Sequence, residues 1–261
     1  MSANAVNNIY GIKDSANFTV KYKAGANKGK VFVYSDYATV STNEWSSEQV
    51  YAKSKNVNAI RWDYGRNATL KIDMEIFDLK WIGMFFGTDF VQDTNGKEIL
   101  KREALTVTGG KATMVGTPVA NSVSVYALAE DGLTNVSELT AGTTTAKTGE
   151  YVLSGKEISV LASDFADGSQ IVVYYLEKKT DTRTLVINAD KYPENFEIFA
   201  DTLIRKTDGE DEFVQIHYMN VKAKSQFTLT MDASNITTLS AEFDILKDTG
   251  SSDMATYTIY K

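Results

Sequence analysis

The single histidine, His217, lies in the stretch EFVQIHYMN. As a catalytic base it would need a nucleophile and an orienting carboxylate within reach. No G-x-S-x-G elbow supplies the nucleophile, and a lone histidine inside a strand reads as a packed or interface residue. The carboxylates Asp208, Glu210, Asp211 and Glu212 could hold a hard cation. They lack the twelve-residue loop spacing that closes on a bidentate Glu, so they read as a solvated turn. The same holds for Asp93, Asn95 and Glu98. Asp73 and Glu75 share one strand face, as a glycosidase pair might, but no cleft or raised pKa is legible. Neither phosphate-cradling glycine motif occurs. Cysteine is absent, which excludes disulfides and thiol chemistry. No cofactor, metal site or catalytic residue is expected. Of the three tryptophans, Trp81 reads as core and Trp62 as half-buried on a strand. Trp45, in a polar stretch, reads as an interface anchor.

The elements around these residues are mostly strands. In 69–77, Leu70, Ile72, Met74 and Ile76 alternate with Lys71, Asp73 and Glu75. In 225–232, Phe227, Leu229 and Met231 alternate with Thr228, Thr230 and Asp232. In 238–246, Leu239, Ala241, Phe243 and Ile245 alternate with Ser240, Glu242 and Asp244. Period-two alternation predicts half-buried strands with one wet face. Weaker strand signals fall at 17–23, 30–34, 59–63, 196–205 and 212–222. The stretch DLKWIGMFFG, 78–87, predicts one short helix. Asp78 is suited to its N-cap, Gly87 to its C-terminal end, and Leu79, Ile82 and Phe86 to its apolar side. Residues 35–58 show no sustained period and read as a long functional loop.

Composition bounds the rest. The 261 residues are 43% hydrophobic and 23% charged, as in an ordinary globular chain. The net charge of -7 argues against a general nucleic-acid binder. The N-terminal MSANAVNN does not read as a secretory signal, and no apolar run is long enough to span a bilayer, so no membrane insertion is expected. Residues 105–183 are richer in Thr, Gly, Ser and Ala. They carry short strand signals at 105–108, 112–115, 122–128, 150–153, 156–160 and 170–177. That spacing suggests a small immunoglobulin-like sandwich set into a discontinuous domain of 1–104 and 184–261. The outer block 184–261 holds 13 acidic against 7 basic residues, most of the acidic excess.

Residues 196–246 resemble the tail tube (major tail) proteins of bacteriophages. The resemblance rests on a strand, a charged Asp-Gly turn, a second strand ending in Lys222-Ala223-Lys224, then Phe227 to Asp232 and a last strand Phe243 to Leu246. The run from strand 69–77 into a single helix fits as well. The resemblance implies a mainly β fold: a tail-tube-type antiparallel β-sandwich or barrel with one packed α-helix, plus the inserted immunoglobulin-like β-sandwich. It implies a structural virion protein, not an enzyme, assembled in the host cytoplasm. Its copies would form stacked rings, hexameric in this family, around an acidic channel through which DNA passes without specific binding. Tape measure, baseplate and terminator proteins would be its partners, and a sheath where one exists. An insert pointing outward would compete with a sheath, which favours a non-contractile tail.

On that reading Asp73, Glu75, Thr228, Thr230, Asp232, Ser240, Glu242 and Asp244 line the lumen. The loop 35–58 reaches the next ring through Trp45 and Tyr51. Two alternatives stay open: another tail component of the same fold (a tube-initiating, terminator or baseplate ring), or a surface carbohydrate-binding or adhesive protein.

Overall fold

A computed structural model describes residues 9–12, 14–226, 228, 229 and 231–261. In chain order the elements are β1 (Tyr10–Ile12), β2 (Asn17–Tyr22), β3 (Val31–Ser35), β4 (Ala38–Ser54), β5 (Val57–Met74), α1 (Leu79–Phe86), β6 (Val91–Asp93), β7 (Lys97–Thr106), β8 (Lys111–Thr113), β9 (Ser124–Leu128), β10 (Asn135–Ala141), β11 (Glu150–Ser154), β12 (Glu157–Val160), β13 (Gln170–Lys179), β14 (Thr182–Thr184), β15 (Asn195–Lys206), β16 (Asp211–Ala223), β17 (Leu239–Ile245) and β18 (Ala255–Tyr260). Among the described residues the fold is mainly β with one helix, as expected. The chain forms two compact units. One holds the chain up to Phe90 and from Leu185 on; the other is Val91–Thr184.

The first unit is a nine-stranded sheet in the order β3-β2-β15-β16-β17-β5-β4, with β1 added to β15 and β18 to β16. All its pairings are antiparallel. Strand alternation sorts its residues cleanly. Leu239, Ala241, Phe243 and Ile245 are buried, and so are their neighbours Leu70, Ile72 and Met74. These join Phe18, Val20, Phe196, Ile198 and Tyr218 in one core. α1 closes that core. The Asp78 carboxylate accepts the Lys80 backbone N–H at 2.9 Å, and Gly87 ends the helix at φ 60°. The expected caps are therefore in place. The buried side is Trp81, Met84 and Phe85, with Trp81 6.3 Å from the Phe243 ring. Leu79 is exposed instead, because a helix of two turns can bury only one narrow stripe.

Three expectations are corrected. The strand read at 69–77 ends at Met74, and Ile76 is exposed just beyond it. The strand read at 225–232 is missing: its described residues are irregular, and Phe227 and Thr230 lie outside the described residues. The aperiodic loop 35–58 is instead most of the β4/β5 hairpin. Lys55 and Asn56 both take positive φ (48° and 68°), the conformation that a two-residue hairpin turn requires.

The second unit threads β7-β13-β9-β10-β11-β12-β8, with a separate β14-β6 pair. β10 and β11 pair in parallel, and the other pairings are antiparallel. Val125, Ile171 and Val173 share a core with Ala112, Ile158 and Val160. Strands from the two ends of the path therefore face each other as two layers. The fully buried Tyr175 hydroxyl hydrogen-bonds to the Glu103 carboxylate. That carboxylate also accepts the backbone N–H groups of Val115 (2.9 Å) and Gly116 (3.2 Å). Burial opposes ionisation of Glu103, but these hydrogen bonds hold its pKa below the usual value. Burial, reinforced by the same carboxylate, pushes Tyr175 up to about 12.

Candidate assembly surfaces

A wet sheet face and a long exposed ribbon dominate the first unit. On the wet face Ser240 stands opposite Asp73, Glu242 opposite Lys71, and Asp244 opposite Thr69. One strand over, Lys222 stands opposite Asp244. Lys71 Nζ lies 3.2 Å from Asp73, and Lys224 Nζ lies 3.2 Å from Glu242. The Ser240 hydroxyl donates to the Asp73 carboxylate. Four of the eight residues expected in the lumen, Asp73, Ser240, Glu242 and Asp244, thus share one face. The others do not join them. Glu75 lies past the end of β5, Thr228 and Asp232 sit exposed in the irregular segment, and Thr230 lies outside the described residues. Lys71 meets Asp73 two residues along the same strand, whereas Lys224, just past β16, meets Glu242 on β17, a contact that only the register shows.

Further along this face, His217 stacks on Phe199 (4.1 Å between centroids, 8° between planes). The His217 Nε2 is buried, 3.7 Å from Glu197, too far for a hydrogen bond. Burial lowers the His217 pKa, and Lys23 and Lys21 add to that effect against the pull of Glu197. Lys23 bridges Glu197 (3.3 Å) and Asp248 (2.6 Å). His217 is packed, stacked on Phe199 and opposite Thr256 of β18, as the sequence suggests. Among the described residues no cluster of three or more His, Cys, Asp or Glu could hold a metal ion, and no helix is long and apolar enough to cross a membrane.

The ribbon is the outer part of β4/β5. Glu48 pairs with Tyr64, Val50 with Trp62, and Ala52 with Ile60. Directly opposed residues share a face, so Val50, Ala52, Ile60, Trp62 and Tyr64 make one largely apolar side, its large side chains exposed, with Glu48 at its inner end. The other side carries Gln49 opposite Asp63 and Tyr51 opposite Arg61. Here Tyr51 donates to Gln49 (2.5 Å) and Arg61 to Asp63 (3.1 Å). Tyr51 therefore sits on the polar side of the ribbon. Trp45 stands at its root opposite Ala68 and is exposed. A register shift between Ser46 and Glu48 puts one extra residue in β5, near Gly65 at φ 58°. That bulge carries Trp62 and Tyr64 to the side opposite Leu70 and Ile72. The sequence held the signal in the alternation of Ile60, Trp62 and Tyr64, but the bulge between them and Leu70 hid which side they face.

The sheet also ends openly. β3 and β4 close the strand path, so each has an edge with no paired strand among the described residues. Such edges are templates for another chain.

Comparison with known proteins agrees with this geometry. The model of the YomU/Tube protein family matches residues 10–259. The chain is also 27% identical over 251 residues to the tail tube protein of Bacillus phage SPR, covering 94% of this chain and 86% of that protein. With a match spanning nearly its whole length, the chain belongs to the YomU/Tube protein family.

Proposed function

We propose that this chain is the repeating subunit of a phage tail tube. Copies join through their open sheet edges into rings of six, and the rings stack into a tube around a channel that DNA crosses. One observation carries the reading: among the described residues an otherwise well-packed sheet leaves the outer edges of β3 and β4 unpaired and extends a ribbon with a largely apolar, exposed side. A solitary molecule gains nothing from either, whereas a closed ring satisfies the edge hydrogen bonds of every copy.

The wet face of β16, β17 and β5 is the channel wall in this proposal. Two of its lysines engage carboxylates, Lys71 with Asp73 and Lys224 with Glu242, and Lys222 stands opposite Asp244. A passing duplex therefore meets no ladder of open cationic groups, and binding by counterion release is weak. The acidic character expected from sequence is thus tempered by these pairs, and the wall is proposed as ion-paired and polar. The ribbon reaches the next ring, and the Val91–Thr184 unit is an inserted immunoglobulin-like module. Tape measure, baseplate and terminator proteins are the proposed partners in the virion.

Negative-stain imaging of the purified protein tests the reading. Hollow tubes are expected, growing with protein concentration. Protein that stays monomeric at every concentration would contradict it.

A further inference from the structure

We infer that the apolar side of the ribbon is received by the opposite end of the same domain on a second copy, at an exposed patch around Ile76 and Ile236. The inference rests on the tube reading and specifies its stacking contact. The placement follows from strand direction. β5 runs from the ribbon tip at Val57 to Met74. Trp62 and Met74 are twelve residues apart, roughly 40 Å of strand at about 3.3 Å per residue. Ile76 lies just past Met74 and is 65% exposed, and Leu79 follows at the start of α1, also exposed. β17 begins at Leu239, directly opposite Met74. The segment between Ala223 and Leu239 therefore belongs to this same far end. It exposes Met231 (82%) and Ile236 (73%).

The two surfaces match in charge as well as in polarity. The ribbon tip carries Lys53 and Lys55. The far end carries Glu75, Asp78 and Asp232, all exposed. Asp232 accepts the Ser234 N–H and an Asn235 amide hydrogen, and these bonds keep its pKa below the ordinary carboxylate value. It is ionised at neutral pH.

No copy can place its ribbon on its own far end across that length of strand. A contact between opposite ends of one surface is heterologous, and repeating it gives an open filament. The four ribbon side chains offer on the order of 400 Å² of apolar area at half exposure, below the roughly 800 Å² per partner of a stable pair. Two monomers therefore associate weakly, while two rings engage several such contacts at once and hold. The irregular segment 224–238 suits the acceptor role. Its sequence alternates as a strand does, yet its described residues after Lys224 form no strand within one chain, which leaves their side chains available to a second copy's ribbon.

Wild-type protein, half of it labelled with ¹⁵N, is assembled into tubes and treated with a zero-length carbodiimide coupler. Mass spectrometry should find Lys53 or Lys55 joined to Glu75, Asp78 or Asp232 in peptides that mix labelled and unlabelled chains. Links from these lysines into the Asp208–Glu212 turn, which lies at the ribbon's own end, would overturn the inference, and so would tubes without the expected links. As a second arm, Ile236→Glu should unfold at the wild-type temperature yet lose tube elongation at least tenfold. Elongation at the wild-type rate would overturn the inference too. If wild-type protein forms no tubes at all, the tube reading itself fails and the inference falls with it.

Discussion

Val50 stands directly across from Trp62 in the β4/β5 ribbon, and both side chains are about half exposed. Cross-strand pairs of this kind are the unit of sheet stability, yet a two-stranded ribbon alone is marginal in water. The ribbon is therefore built to be completed by something else.

Replacing both residues with polar ones, Val50→Ser and Trp62→Ser, should leave the fold nearly untouched. Neither side chain belongs to the core, so the stability change should stay within about 1 kcal/mol. Assembly should be lost. Thermal unfolding followed by circular dichroism and sedimentation velocity check the two halves of this expectation.

Gly87 ends the helix at φ 60°, and a Cβ there would meet the Tyr192 carbonyl oxygen at 2.1 Å. Gly87→Ala combines a left-handed backbone cost of roughly 1–2 kcal/mol with that clash. A loss of roughly 2 kcal/mol or more is expected in urea unfolding of the first unit. An unchanged midpoint would show that the cap does not lock the helix to the core.

In the second unit, Glu103 accepts hydrogen bonds from Tyr175 and from two backbone amides. Its folded pKa lies below the unfolded value of about 4.5. The stability it contributes is fully present above pH 4.5 and is lost as pH falls through the folded pKa. Glu103→Leu leaves the buried Tyr175 hydroxyl without its partner, at a cost of about 1–3 kcal/mol at pH 7, and flattens the acid limb of the unfolding curve. Urea midpoints for both proteins at pH 7 and pH 3 measure this.

His217 provides a second pH signature. Its folded pKa is lowered from 6.5 by burial, so the unfolded chain takes up the proton first. Stability should be full above pH 6.5 and decline as pH drops below it. His217→Gln should remove that decline. Titration of the single imidazole by NMR gives the folded pKa directly, and a value above 6.5 would contradict the burial argument.

Much of this arrangement was legible in the sequence where one physical rule acted alone. Leu239 to Ile245 alternate without interruption, and the structure buries every second residue as read. Asp78 and Gly87 act as caps because the helix ends are short-range features. The ribbon was unreadable for a different reason. Ile60, Trp62 and Tyr64 alternate in step along the chain, but the register shift at Ser46/Glu48 turns them to the side opposite Leu70 and Ile72, although all five lie an even number of residues apart in sequence. Tyr51 looked like an anchor by type, but its register places it with Arg61 on the polar side. The segment after Lys224 shows the converse failure. Its alternation is genuine, yet its described residues have no neighbouring strand in one chain, and alternation cannot reveal that. Lys71, which balances Asp73, shares its strand face two residues away and was legible, but Lys224, which balances Glu242, comes from just past the neighbouring strand, which no linear pattern exposes.

The central claim is that copies of this chain join edge to edge and turn the wet face of β17 inward. A helical reconstruction of assembled tubes from cryo-electron micrographs tests it most directly. The account predicts Ser240, Glu242 and Asp244 facing the bore, with Phe243 turned away against Trp81. A tube whose bore is lined by other strands, with Glu242 and Asp244 on its outer surface, would contradict it.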